Sequence, residues 1–374
     1  MIASAGSRII DVLLAAGSDQ IAVEVPGTGA ASVRSVLRQA VTLAAELDDL
    51  GLRYPDRVAL VGANGAAFLA AFFAATLRTT CAPLNPAYTL AEFELYLRDL
   101  EVDALMLVDG APLTAADAAR RLGIPVIPVT TVRDGCDAFE PGVVRSESEV
   151  ALVLHTSGTT SRSKIVPLTH GNLCASARNI ARALDLGSSD RYLNVMPWFH
   201  VHGLLAALAT LRSGGAVICP AAFHAGMFPD WLRDLRPTWY SAVPSIHAAI
   251  ADRTTRHDDA TANHTLRFIR SGSAPLAPSL MARLEALFEV PVIEFYGMTE
   301  AANQITSNPL PPARRKPGSV GRPEGPAVAI AEATGRLIGA REIGEVVVRG
   351  ENVTSGYENQ PGNQAFHGPW LRTR

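Results

Sequence analysis

The 374-residue sequence is short of cysteine, of excess charge and of long apolar runs. Its four cysteines, Cys81, Cys136, Cys174 and Cys219, are scattered with neither CxxC nor Cys/His spacing. That excludes a zinc-ribbon site and is too sparse for a disulfide scaffold, so a reducing, cytoplasmic setting is expected. Lys and Arg number 33 against 36 Asp and Glu, a net charge of -3, which offers nucleic acid or anionic lipid no general attraction. The expected partners are therefore small molecules. Apolar stretches such as Ala66 to Leu77 are broken by arginine or polar residues within about a dozen positions, too short for a membrane span. The opening MIASAGSRIIDVLLAAGSDQ carries Arg8 and Asp11 within its apolar part, so neither a span nor a signal peptide is expected there. No solenoid repeat and no low-complexity segment is present.

What is there is a core-forming composition, 48% hydrophobic and 18% charged, with length for two or three compact units. Short β-rich runs alternate with helix-length segments: DRVALVG, AAFLAAFFAATLR, TLAEFELYLRDL, DALMLVD, IPVIPV, VALVLHT, NLCASARNIARAL, YLNVMP, AVICP, MFPDWLRDL, TWYSAVP, LRFIRSGS, SLMARLEALF and PVIEFYG. The alternation predicts an α/β fold with mostly parallel sheets and crossover helices. From about Lys316 short strands punctuated by Gly and Pro (GSVGRP, AVAIAE, GEVVVRG) predict a smaller β-rich unit.

Three strand ends carry polar residues. LHTSGTTSRSKIVPLTH offers Thr156, Ser157, Gly158, Thr159, Thr160 and Lys164 directly after an apolar strand. A Walker A loop is excluded because Ser163 precedes Lys164 and Ile165 follows it, and no GxGxxG turn is present. The set suits a loop wrapped around a polyphosphate, or an ordinary polar surface loop, and the residues alone leave both open. EFYGMTEAANQ places Tyr296, Gly297, Thr299 and Glu300 at another strand end, either for a phosphate and Mg²⁺ or as a helix N-cap. RSGSAPL, with Ser271, Gly272, Ser273, Ala274 and Pro275, suits a flat base lying against backbone, or a plain turn before a helix.

Taken together and in order, TSGTTSRSK, PWFHVHG, RSGSAPL, YGMTE, GSVGRP and GEVVVRGENVTSGY resemble the adenylate-forming superfamily of acyl-CoA synthetases, peptide-synthetase adenylation domains and luciferases. The resemblance runs from about residue 25 to the last residue. It implies the superfamily's large N-terminal domain: two stacked βα lobes, about 1–190 and 191–315, and a β-rich subdomain at about 316–374. It further implies activation of a carboxylic acid with ATP to acyl-AMP and pyrophosphate, followed by transfer to CoA. On that resemblance the loop from Thr156 to Lys164 holds the β- and γ-phosphates, and Ser271 to Pro275 with Tyr296 and Gly297 line the adenine site. Thr299 contacts the α-phosphate, Glu300 binds Mg²⁺, and His200 stands between the acid pocket and the thiol tunnel. Trp198, Phe199 and Trp239 are read as core or pocket wall.

Two departures stand out. Ile165 replaces the glycine that such loops usually carry after the lysine, which implies altered loop closure. PWLRTR places Arg374 where the superfamily has glycine, and a hinge and a small C-terminal domain bearing the adenylation lysine are expected beyond it; alone, the chain is expected to turn over poorly.

FHVHGLLA, TWYSAVPSIH, LRFIRSGSAPLAPSLMARLE and SNPLPPARRKPGSVGRP resemble the oxalate–CoA ligase branch, implying a small acid held by His200, His202, Ser271 and Asn303. A fatty acyl-CoA ligase with a tunnel along Leu204, Leu205, Val243 and Ile305 stays open as an alternative. So do loading of a carrier protein in place of CoA and a binding module without catalysis.

Overall fold

The computed structural model describes residues 8–130, 145–156, 164–254, 263–339, 341–359 and 365–373. β1 (Ile21–Val25) and β2 (Gly29–Ser32) form a hairpin. Then come β3 (Arg57–Val61), β4 (Thr80–Pro83), β5 (Ala104–Val108), β6 (Val126–Val129), β7 (Val150–Thr156) and β8 (Lys164–Thr169). These last six make one sheet in the order β6-β5-β3-β4-β7-β8, parallel except for the antiparallel edge strand β8.

β9 (Arg191–Asn194), β10 (Ala216–Ile218), β11 (Trp239–Ala242), β12 (Phe268–Ser271), β13 (Val292–Met298), β14 (Asn303–Ser307) and β15 (Arg322–Pro323) follow. With the early hairpin they build a nine-stranded sheet ordered β15-β14-β13-β12-β11-β9-β10-β1-β2. The segment at 21–32 thus joins the sheet formed mainly by residues 191–323. β16 (Ala327–Ala331), β17 (Leu337–Ile338), β18 (Glu345–Arg349), β19 (Phe366–His367) and β20 (Trp370–Arg372) form a third, antiparallel sheet ordered β17-β16-β18-β20-β19. The expected α/β architecture with parallel sheets and a β-rich unit is the one observed.

A helical layer lies between the two large sheets. The helix Ala66–Arg78 is apolar all round, with Phe68 through Leu77 buried, because it touches β3, β4 and β5 of one sheet and β1 of the other. His170–Ala183 opens with a capping box, Thr169 and Asn172 exchanging bonds, and packs on Val201–Arg212. The second of these buries every residue from Val201 to Leu211 beneath β9, β10 and β14. Strand β12 runs through the middle of the larger sheet, so its C-terminal end and that of β13 open side by side. In open parallel sheets such strand ends are where ligands bind. Among the described residues no helix is long and apolar enough to cross a membrane.

Phe72 is 0% exposed in the helical layer. Phe72→Ala is expected to cost about 3–5 kcal/mol of unfolding free energy in a urea titration; a loss below about 1 kcal/mol would contradict a helix sealed between two sheets.

Candidate nucleotide and acid site

β7 and β8 form an antiparallel hairpin whose last pair is Thr156 with Lys164. Ser157, Gly158, Thr159 and Thr160 lie outside the described residues. Thr156 Oγ1 is buried with no partner among the described residues. Ile165 does not sit in a loop: it is a strand residue, 4% exposed, packed with Val153 in the core of the smaller parallel sheet. A β-branched side chain suits that pleated position, so the backbone freedom expected after the lysine is not called for at this residue. Its N–H donates to Asn359 Oδ1 at 3.1 Å, and its carbonyl accepts from the Glu358 N–H at 3.1 Å.

Beside the hairpin, β13 runs into a single 3₁₀ turn, Thr299–Ala301, and returns as β14. The helix that an N-cap at Thr299 would start is not formed. Ala302 and Asn303 take φ of 45° and 90°, conformations that cost non-glycine residues about 1–3 kcal/mol each and need outside support. That support is visible. The Ser176 hydroxyl donates to the Ala302 carbonyl, and Asn352 Nδ2 donates to the carbonyls of Ala301 at 2.8 Å and Gln304 at 3.0 Å. The Thr354 N–H donates to the Glu300 carbonyl at 2.8 Å. Gly297 is required by close approach, since a Cβ there would stand 1.4 Å from the Asn303 carbonyl oxygen.

The two strand ends meet at Tyr357. Its hydroxyl donates to Glu300 Oε1 at 2.7 Å, while Lys164 Nζ lies 3.5 Å from the same hydroxyl and 4.7 Å from the ring centroid. Burial, and then the bond to Glu300, push the phenol above its ordinary pKa. Lys164 and Glu300, of opposite charge, are thereby linked through one neutral side chain. Glu300 is 6% exposed, and among the described residues no three His, Cys, Asp or Glu side chains cluster as a metal cage. One buried carboxylate suits Mg²⁺, which takes one or two carboxylates and keeps water and phosphate oxygens as its other ligands.

At the end of β12, Gly272 lies against the Phe295 ring, where an added Cβ would stand 2.1 Å from a ring carbon. Ser273, at φ 66°, begins an exposed ledge with Ala274 and Pro275, next to the half-buried Tyr296 at the end of β13. Ser271 is wholly buried, and its hydroxyl has no partner among the described residues.

The two histidines of PWFHVHG part company. His200 is exposed at the start of its helix with its ring 4.5 Å from that of Phe199. His202 is buried, with Nδ1 3.0 Å from Ser273 Oγ and Nε2 2.6 Å from Ser241 Oγ, and its ring meets Phe295 edge-on at 5.2 Å. Burial, and then the neighbouring Arg270, hold it well below the ordinary imidazole pKa, so it is neutral. Asn303 is 3% exposed and its Nδ2 has no partner among the described residues. A cavity of about 310 Å³ opens nearby, walled by Asn64, Met196, Phe199, Pro220, Phe223 and Ile246. None of His200, His202, Ser271 and Asn303 lines it.

The chain matches the AMP-binding enzyme family over residues 14–358. It belongs to that family. It is 44% identical over 346 residues to the oxalate–CoA ligase of Arabidopsis thaliana, covering 87% of this chain and 67% of that protein. It is 38% identical over 283 residues to the sulfoacetate–CoA ligase of Cupriavidus necator, covering 74% and 52%. The chain thus spans about two thirds of the length of the first relative and half of the second. Among solved structures, ATP-bound MatB from Rhodopseudomonas palustris superposes with a TM-score of 0.87 at 28% identity, over 98% of this chain and 75% of that one.

Two sets of residues escaped the sequence reading. Asn352, Thr354 and Tyr357 brace the 299–303 turn; the signal was the polar run GENVTSGY itself. Arg270 is wholly buried with its guanidinium carbon 3.5 Å from the Phe295 ring centroid, and its signal was a lone charge inside the apolar strand FIRS.

Near Arg270, His247 stands 3.2 Å from the Tyr240 hydroxyl, and burial pulls its imidazole down to about 4. Above pH 6.5 the folded and unfolded chains both hold it neutral. Below that the unfolded chain alone takes the proton, so stability falls as pH drops from about 6.5 to about 4. Between pH 7 and 5 this one group should remove about 2 kcal/mol. In His247→Phe the fall measured by urea unfolding at the two pH values should shrink by that amount; an unchanged fall would contradict a buried neutral His247.

Proposed function

We propose that the chain is the nucleotide- and acid-binding part of an AMP-forming acid–CoA ligase that acts on a small acid. The observation that carries this is the convergence of Lys164 and Glu300 on Tyr357, which brings the start of β8 and the Thr299–Glu300 turn to one polar site. A carboxylate is a poor acyl donor; attack of its oxygen on the α-phosphorus of ATP gives acyl-AMP and releases pyrophosphate, after which the CoA thiol displaces AMP. Such a transfer depends on positioning and on neutralising phosphate charge.

In this reading Thr156 and Lys164, with the hydroxyl-rich sequence 157–163 between them, receive the β- and γ-phosphates, and Thr299 receives the α-phosphate. Glu300 holds Mg²⁺, which when bound neutralises phosphate charge; Tyr357 keeps that carboxylate oriented. The ledge Ser273 to Pro275 and Tyr296 face the adenine, with the buried Gly272 before it kept bare by the Phe295 ring. His200, exposed at the head of its helix, faces the acid. A small acid is favoured because relatives act on oxalate and sulfoacetate, and because three of the four residues expected along a fatty-acid tunnel, Leu204, Leu205 and Ile305, are at most 1% exposed in packed core, with Val243 alone half-buried.

Calorimetric titration of the purified chain with a non-hydrolysable ATP analogue and Mg²⁺ tests the site. Glu300→Gln is expected to weaken binding about tenfold, equivalent to about 1.4 kcal/mol, and to leave AMP binding nearly as it was. Equal losses for both ligands, or none, would contradict the assignment of Glu300 to the metal-bound phosphates.

A further inference from the structure

We propose that Arg270 receives the second anionic group of the acid, so that the site selects small dicarboxylates and similar dianions over monocarboxylates. The inference rests on the reading of this chain as acid-activating and adds the residue that chooses the acid.

Arg270 lies in the interior of the nine-stranded sheet, paired with Ser241 on one side and Ile293 on the other, and is 0% exposed. A buried guanidinium is costly unless a carboxylate and a full set of acceptors compensate it. Arg270 has neither. It makes one side-chain hydrogen bond, from Nη2 to Gln304 Oε1 at 2.9 Å, and Nε and Nη1 have no acceptor among the described residues. The titratable groups that act on it or on its neighbour His202 are Tyr192, His247 and His200, with no carboxylate among them. Burial lowers its pKa to about 9, which still leaves it charged at neutral pH. This is a positive charge with unused donors and no carboxylate counter-ion among the described residues.

Its position ties that charge to the site. The Phe295 ring carries the guanidinium on its face, bears against Gly272 of the ledge and meets the edge of His202. His202 is in turn bonded to Ser273. Arg270 is therefore one aromatic ring away from the residues assigned to the adenylate. Gln304 and the Phe295 ring compensate the charge only in part among the described residues; an anion delivered by the substrate would complete it, because arginine binds carboxylate and sulfonate oxygens through directed N–H groups. A buried polar group that must be paired is also a strong filter, since an acid lacking the second charge leaves it unpaired.

The test is calorimetric titration of the chain, held with a non-hydrolysable ATP analogue and Mg²⁺, with oxalate, malonate, succinate, propionate and octanoate, for wild type, Arg270→Met and Arg270→Lys. Wild type is expected to bind one of the dicarboxylates at least about tenfold more tightly than propionate. Arg270→Met should lose that preference, with Arg270→Lys intermediate. Without ligand, the melting temperature of Arg270→Met should equal or exceed that of wild type, because an uncompensated charge has been removed. A methionine variant that keeps the dicarboxylate preference, or one that melts well below wild type or fails to fold, overturns the proposal and returns Arg270 to the core. Failure of wild type to bind the ATP analogue overturns the ligase reading, and this inference with it, whereas intact nucleotide binding with no dicarboxylate preference sinks only the role of Arg270.

Discussion

The Tyr357 hydroxyl is the contact on which the polar site depends. It donates a hydrogen bond to Glu300 and stands within reach of Lys164, and it arrives on a strap, Glu351 to Asn359, that is pinned along its length. Asn172 Nδ2 donates to the carbonyls of Glu351 at 2.7 Å and Val353 at 3.1 Å, and the Thr354 hydroxyl donates to the Pro167 carbonyl at 2.6 Å. The strap therefore fastens the smaller parallel sheet to the 299–303 turn of the larger one. Without it, two non-glycine residues with positive φ would have lost much of the support that keeps them there.

A second constraint is close approach. Gly297 and Gly272 are each filled by a neighbour, the Asn303 backbone in one case and the Phe295 ring in the other. Both lie at the C-terminal ends of adjacent parallel strands, where side chains would otherwise block access. Around them the sheet interior carries polar groups that ordinary cores exclude, Arg270, Ser271, Asn303 and Gln304, each at most 3% exposed. Stability is lower there than an apolar packing would give, and directed donors are the return.

Much of the α/β alternation was legible because long, periodic helices and apolar parallel strands write clear patterns. What was not legible has specific causes. β8 carries Pro167 and follows a hydroxyl-rich stretch, so it shows no clear strand pattern; the strand exists because it is a sheet edge, where a missing N–H goes unneeded. β14 reads NQITS, a fully buried strand made mostly of polar residues, so hydrophobic periodicity could not reveal it. β4 is four residues long and includes Pro83, and the pairing of β1 with β10 spans too much sequence for any local pattern. Lys164 and Glu300 stood out from their motifs, but Tyr357, which touches both, and Arg270, which has no carboxylate partner among the described residues, depend on tertiary contacts.

The most direct measurement is the affinity of the chain for two non-hydrolysable acyl-adenylate analogues, one oxalyl and one dodecanoyl, against AMP. The account predicts that the oxalyl analogue binds more tightly than both. Tighter binding of the dodecanoyl analogue would contradict the small-acid site, and equal binding of all three would contradict an acid subsite joined to the nucleotide ledge.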